Sequence, residues 1–230
     1  MKKWLLVVML GVLLSGPVAL GKVSRRVVEC GGQKYGYVLF APKTGVGELP
    51  AILLLHGAGD SPEPMVEAWR SLAEREGIVL VAPELPRKRE FEAVAPDVFR
   101  CVVEDAKTVV RPDTKRLYVF GNSMGGYLAY DAAAFLSEYF AAVGVHAMGI
   151  DPEYDGILDK AKRKTPIIIY MGERDPLVSV KNVRRTKELL ERKGFPVKYE
   201  EILDHDHNYY EVSKRVNAGV WEYFVAHAMQ

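Results

Sequence analysis

The feature that most constrains this chain is its alternation of short apolar runs with amphipathic stretches. Ala51–Leu55 and Ile78–Val81 are unbroken apolar runs, as expected of strands buried on both faces. Leu117–Phe120, Ala142–Ala147 and Ile167–Met171 also read as strands, and Val197–Leu203 as the last one. Between them, Met65–Glu76, Asp97–Val110, Tyr127–Leu136 and Lys181–Lys193 read as helices, and Tyr210–His227 closes the chain as another. Pro96 opens the second helix, while Gly77, Pro112 and Gly194 supply stops. Val27–Cys30 and Tyr35–Phe40, joined by Gly31 and Gly32, read as a hairpin. The order implies an α/β fold: a mostly parallel sheet, an antiparallel N-terminal hairpin at its edge, and helices on both faces. In such sheets ligands bind beyond the carboxyl ends of the strands. The residues just after each apolar run are therefore the candidates for chemistry.

A length of 230 residues suits one domain with its own core. The formal net charge is +1, with acidic and basic residues interleaved. That argues against a nucleic-acid footprint, which needs clustered basic charge. Arg87-Lys88-Arg89 and Lys162-Arg163-Lys164 read as solvated loops. Lys2 and Lys3 precede an apolar run, Trp4–Leu14, followed by Ser15, Gly16, Pro17 and the small residues Ala19 and Gly21. This is the pattern of a secretory signal peptide over residues 1–21, cleaved before Lys22, leaving 22–230 as the folded domain. The other possibility is an uncleaved anchor, but the run is short for a span of ~20 residues. The expectation is an exported protein, periplasmic or extracellular, with no stable membrane partner after cleavage. In an oxidising compartment Cys30 and Cys101 can pair. Equally, Cys101 sits on the apolar face of its helix and can be a buried free thiol.

Gly121-Asn122-Ser123-Met124-Gly125 matches G-x-S-x-G. By itself the match is weak. Its context, after a strand and before an Ala-rich helix, is the one a nucleophile elbow needs. Ser123 would occupy a strained turn, with small residues two positions away on either side. The helix N-terminus behind it favours developing negative charge. A serine hydroxyl needs a base, and the base an orienting acid, in the chain order Ser, acid, His. Asp175 follows the strand ending at Met171, with Asp151 as the alternative acid. Asp204-His205-Asp206-His207 follows the last strand, so both His205 and His207 are candidate bases. The same H-x-H pair, with its neighbouring Asp, is also a possible metal-ligand set, though no further His or Cys cluster supports it. Leu55-His56-Gly57-Ala58-Gly59-Asp60 follows a buried strand and can aim a backbone N–H at an oxyanion; Ala58 and Met124 are the assigned donors. His56, His146 and His227 read as structural. Tyr209 and Tyr210 either line a pocket or pack the last helix. No phosphate-cradling loop and no dinucleotide fingerprint is found, so no cofactor is expected.

These motifs resemble those of the α/β-hydrolase superfamily over essentially the whole mature chain. Leu55-His56-Gly57-Ala58-Gly59-Asp60 and Gly121-Asn122-Ser123-Met124-Gly125-Gly126 are similar to the polyhydroxyalkanoate-depolymerase-like and feruloyl esterase group. Asp206-His207-Asn208-Tyr209-Tyr210 resembles the segment carrying the base in the esterase D (S-formylglutathione hydrolase) group, which implies His207. Asp204 stands where a glycine is usual before the base, which keeps His205 as an alternative. The resemblance implies a serine esterase with a small-molecule or polymer-linked ester as substrate. Only about twenty residues separate Ala147 from Ile167, too few for a large lid. A serine peptidase or amidase, a non-catalytic binding protein on the same scaffold, and metal-dependent hydrolysis are the competing functions.

Overall fold

The computed structural model describes residues 21–43, 47–86 and 94–230. The leader expected at 1–21, its last residue excepted, and the Arg87-Lys88-Arg89 run lie outside them. Strands β1 (Lys22–Cys30), β2 (Gln33–Ala41), β3 (Leu49–Leu55), β4 (Val79–Pro83), β5 (Pro112–Asn122), β6 (Ala142–His146), β7 (Ile167–Gly172) and β8 (Val197–Ile202) form one eight-stranded sheet in the order β1-β2-β4-β3-β5-β6-β7-β8. The β1–β2 and β2–β4 pairs are antiparallel and all others are parallel. Helices α1 (Pro62–Glu76), α2 (Pro96–Lys107), α3 (Met124–Phe135), α4 (Val180–Arg192) and α5 (Tyr209–Val225) supply the crossovers and the C-terminal cover.

Side-chain alternation along the strands builds two cores. Leu53 and Leu55 of β3, Val119 of β5 and Ile169 of β7 face α2, α3 and α4. Ile52 and Leu54, Phe120 and Ile168 face the other way, onto α1 and α5. Because the middle strands are covered on both faces, they read as apolar runs. The hairpin and β5 extend beyond their apolar residues because backbone pairing does not require burial. β1 pairs with β2 from Lys22↔Ala41 to Cys30↔Gln33 although most of its side chains are exposed or half-buried. α2 ends at Lys107, short of the expected Val110, and the last helix ends at Val225.

One element has no counterpart among the sequence expectations. Pro152–Lys160 forms a 3₁₀ helix between β6 and β7, with Leu158 buried in the core. It occupies about half of the short interval where a lid would have to be inserted. Cys30 and Cys101 are joined in a disulfide that ties the end of β1 to α2. Among the described residues no helix is long and apolar enough to cross a membrane.

Candidate active site

The parallel strands deliver their C-terminal ends to one rim, where the predicted residues meet. β5 runs directly into α3 through Ser123, whose backbone (φ 52°, ψ −120°) lies in a region an L-residue enters only under strain. The surroundings enforce that strain. The Ser123 N–H donates to the His146 carbonyl at 2.9 Å, and the Gly126 N–H to the Ser123 carbonyl at 2.7 Å. A Cβ on Gly125 would stand 2.0 Å from the Leu55 carbonyl oxygen, and one on Gly121 would stand 2.0 Å from that of Gly125. Both flanking positions therefore exclude any side chain, which is the physical content of the G-x-S-x-G spacing.

The Ser123 hydroxyl lies 2.9 Å from His207 Nε2, and His207 Nδ1 lies 2.6 Å from Asp175 Oδ2. A carboxylate only accepts, so Nδ1 carries the proton and donates to Asp175. That leaves the Nε2 lone pair to accept from the serine hydroxyl. Asp175 is itself immobilised: its Oδ1 accepts the Leu177 and Val178 N–H groups at 2.8 and 2.9 Å, and its side chain is 0% exposed. Serine, imidazole and carboxylate thus form one connected line, 32 and 84 residues apart in sequence. The alternative acid Asp151 instead accepts from Asn182 Nδ2 at 2.9 Å.

His205, the alternative base, is buried with its Nε2 unpartnered among the described residues, and its ring stands 6.2 Å from that of His146. The loop's backbone decides between the two histidines. Asp204 adopts a left-handed conformation (φ 55°), the role a glycine would fill there, and so turns the chain after β8. His205 then points inward and His207, two residues on, reaches the rim. A metal site shared by His205 and His207 does not fit, because both nitrogens of His207 are engaged. Among the described residues, the group whose ligand atoms do converge, within 4.8 Å, is His205, Asp206 and Glu211.

The loop after β3 passes beside the elbow: a Cβ on Gly57 would lie 3.6 Å from Ser123 Cβ and 3.4 Å from Asn122 Nδ2. Ala58 follows in the exposed part of this loop, and Met124 is the first residue of α3. These are the two assigned amide donors. His56 holds the loop's base. Its Nε2 accepts the Leu85 N–H at 3.1 Å, so Nδ1 is the protonated nitrogen and donates to the Gly57 carbonyl at 2.9 Å. Burial lowers its pKa and keeps it neutral.

Some site contacts left no trace in the sequence reading. His146 is fully buried and its Nδ1 donates to Asn122 Oδ1 at 2.9 Å, steadying the residue before the serine. Burial, then the neighbouring His205 and His207, lower its pKa to about 3. Gly172, at the end of β7, lets the two loops meet, since a Cβ there would lie 2.1 Å from the Asp206 carbonyl oxygen and 2.6 Å from that of His205. Tyr209 is buried and donates to Asn217 Oδ1 at 2.6 Å, and both it and Tyr210 line an open cavity of about 390 Å³ with Asn122, Pro176, Leu177 and His207. Strict conformational or contact demands of this kind have no sequence signature without the partner in view.

Comparison with known proteins places this geometry in context. The model of the dienelactone hydrolase family matches residues 33–223. The bifunctional acetylxylan esterase/xylanase XynS20E of Neocallimastix patriciarum is 28% identical over 156 residues, which is 63% of this chain and 22% of that protein. The chain spans 22% and 51% of the lengths of the curated relatives it matches. Among solved structures, the fluorophosphonate-binding serine hydrolase FphF of Staphylococcus aureus superposes with a TM-score of 0.75 at 16% identity, covering 91% of this chain and 99% of that one. LpqC, a poly(3-hydroxybutyrate) depolymerase of Bordetella parapertussis, gives 0.72 at 15% identity, covering 91% and 92%. At these identities the structures show the shared α/β-hydrolase fold.

Proposed function

The chain belongs to the dienelactone hydrolase family, and from that premise we propose that it is an exported serine hydrolase that cleaves carboxylic esters. The observation that carries this reading is the line from the Ser123 hydroxyl through His207 to the buried carboxylate of Asp175, at 2.9 and 2.6 Å, with the serine on a strained elbow.

In the proposed reaction, Ser123 Oγ attacks the ester carbonyl while His207 Nε2 takes its proton. The oxygen of the tetrahedral intermediate is met by the amides of Ala58 and Met124, the latter helped by the α3 N-terminus. Asp175 keeps the imidazole in the tautomer that accepts at Nε2, and stabilises the imidazolium once formed. His207 then protonates the departing alcohol, leaving an acyl group on Ser123. Water, deprotonated by the same imidazole, releases the acid. The site is open, and the short β6–β7 connection carries only the 3₁₀ helix. Small soluble esters, or acyl groups hanging from a polymer, suit such a site. The residue pattern at 1–21 supports export.

Hydrolysis of p-nitrophenyl acetate by the wild type and by Ser123→Ala, each with and without chelator, tests the assignment. The expected result is chelator-insensitive activity, a loss of ~10³-fold or more in the variant, and labelling of wild type alone by a fluorophosphonate. Full activity in Ser123→Ala would refute it.

A further inference from the structure

At the cavity that His207 lines lies a contact that the reaction above does not use. The Tyr210 hydroxyl donates to Asp60 Oδ2, joining residues 150 positions apart. Asp60 ends the loop that carries Ala58. Tyr210 lies in the first turn of α5, three residues after His207. Resting on the serine-hydrolase reading, we propose that Tyr210 is a positioning residue, a strut that holds the Ala58 amide in register with Ser123 and His207 through Asp60.

The anchoring of the loop shows why a strut is needed. Its inner end is fixed by His56, buried and bonded on both nitrogens. Beyond Gly57 the chain has little to hold it. Ala58 and Gly59 are exposed, and Gly59 takes a left-handed φ of 76°. The Asp60 N–H closes the turn onto the Gly57 carbonyl at 3.3 Å, a long bond. No side chain between Gly57 and Asp60 is large enough to pack. The outer end is set by the Asp60 carboxylate, which takes the Ser61 N–H on Oδ1 at 2.8 Å and the Tyr210 hydroxyl on Oδ2.

Tyr210 is a firm place to tie to. Its ring packs edge-on against buried Tyr209, with centroids 5.2 Å apart, and Tyr209 is bonded to Asn217. Tyr210 also lines the cavity of about 390 Å³ that contains His207, whereas Asp60 lines a neighbouring one of about 250 Å³ that contains His56. The strut therefore spans from the segment bearing the base to the loop bearing the oxyanion donor. Burial, and then the Asp60 carboxylate, push the phenol pKa up, so the hydroxyl keeps its proton and donates throughout the working range. An oxyanion donor acts only within about 2.7–3.1 Å of the developing charge. Freeing one end of the loop weakens this contact while leaving the Ser123–His207–Asp175 line intact.

The test uses the whole protein, with p-nitrophenyl acetate and a fluorophosphonate as probes. Labelling of wild type but not of Ser123→Ala establishes the nucleophile first; failure there overturns the serine-hydrolase reading and the strut with it. Tyr210→Phe then removes one oxygen and keeps the ring. Its kcat and its labelling rate should both fall about tenfold, with KM moving less than about twofold. Asp60→Ala should give the same loss, and the double variant no further loss, since both changes cut one strut. Asp60→Asn, whose amide oxygen still accepts from the phenol, should recover most of the rate. Wild-type kcat in Tyr210→Phe, multiplying losses in the double variant, or an Asp60→Asn variant as poor as Asp60→Ala would each overturn the proposal.

Discussion

Gly172→Ala is a one-carbon change placed 35 residues before His207 in the sequence, and it should disable the site. The added Cβ would lie 2.1 Å from the Asp206 carbonyl oxygen and 2.6 Å from that of His205. Both are backbone atoms, which cannot rotate away. Ordinary contact begins near 3.4 Å, so one loop must retreat by about 1 Å. The loops are also stitched together there: the Arg174 N–H donates to the His205 carbonyl at 2.8 Å, and the Glu173 N–H to that of Ile202 at 3.0 Å. A shift of that size would carry the 2.9 Å contact between His207 Nε2 and the Ser123 hydroxyl beyond hydrogen-bond reach. Misplacement of about 1 Å typically costs ~10²-fold in rate. Overpacking of this kind costs about 1–3 kcal/mol, a drop of roughly 3–10 °C in Tm for a domain of this size. Steady-state hydrolysis of p-nitrophenyl acetate, with thermal melts on the same samples, measures both. A variant with kcat within about threefold of wild type and an unchanged Tm would show that the β7 end does not set the position of His207.

The remaining predictions concern stability. The Cys30–Cys101 disulfide closes a loop with a sequence separation of 71, at the end of the sheet remote from β5. Replacing both cysteines by serine should cost about 2–4 kcal/mol and roughly 5–15 °C in Tm, with kcat unchanged; an unaltered Tm would remove the disulfide from the stability account. Asp131, half-buried on α3, has its pKa raised by burial from 3.8 to about 7. The unfolded chain ionises Asp131 above its ordinary pKa while the fold keeps it protonated, so stability falls as pH rises from about 4 to about 7 and stays reduced above that. Asp131→Asn should therefore raise Tm at pH 8, by the equivalent of about 1–3 kcal/mol after solvent screening, and leave it nearly unchanged at pH 4. Equal effects at both pH values would show that ionisation is not the cause.

The strand-helix order, the parallel centre of the sheet and its antiparallel edge were legible in the sequence because burial on two faces leaves apolar runs in the chain itself. The elbow was legible for a related reason. A strained turn pressed against neighbouring backbone tolerates only Gly121 and Gly125 around Ser123, so the geometry is written into the residue types. What the sequence left open involved atoms brought together from distant segments. Cys30 and Cys101 needed the hairpin to lie against α2 before pairing was decided. His205 and His207 differ by two positions in one loop, and the left-handed turn at Asp204 determines which reaches Ser123. Gly172, the Asn122–His146 contact and the Tyr210–Asp60 contact carry no pattern of their own, because each meets a partner contributed by another part of the fold. A chain's local preferences fix its elements; the positions of side chains across a cleft follow only when the sheet has set the ends of its strands side by side.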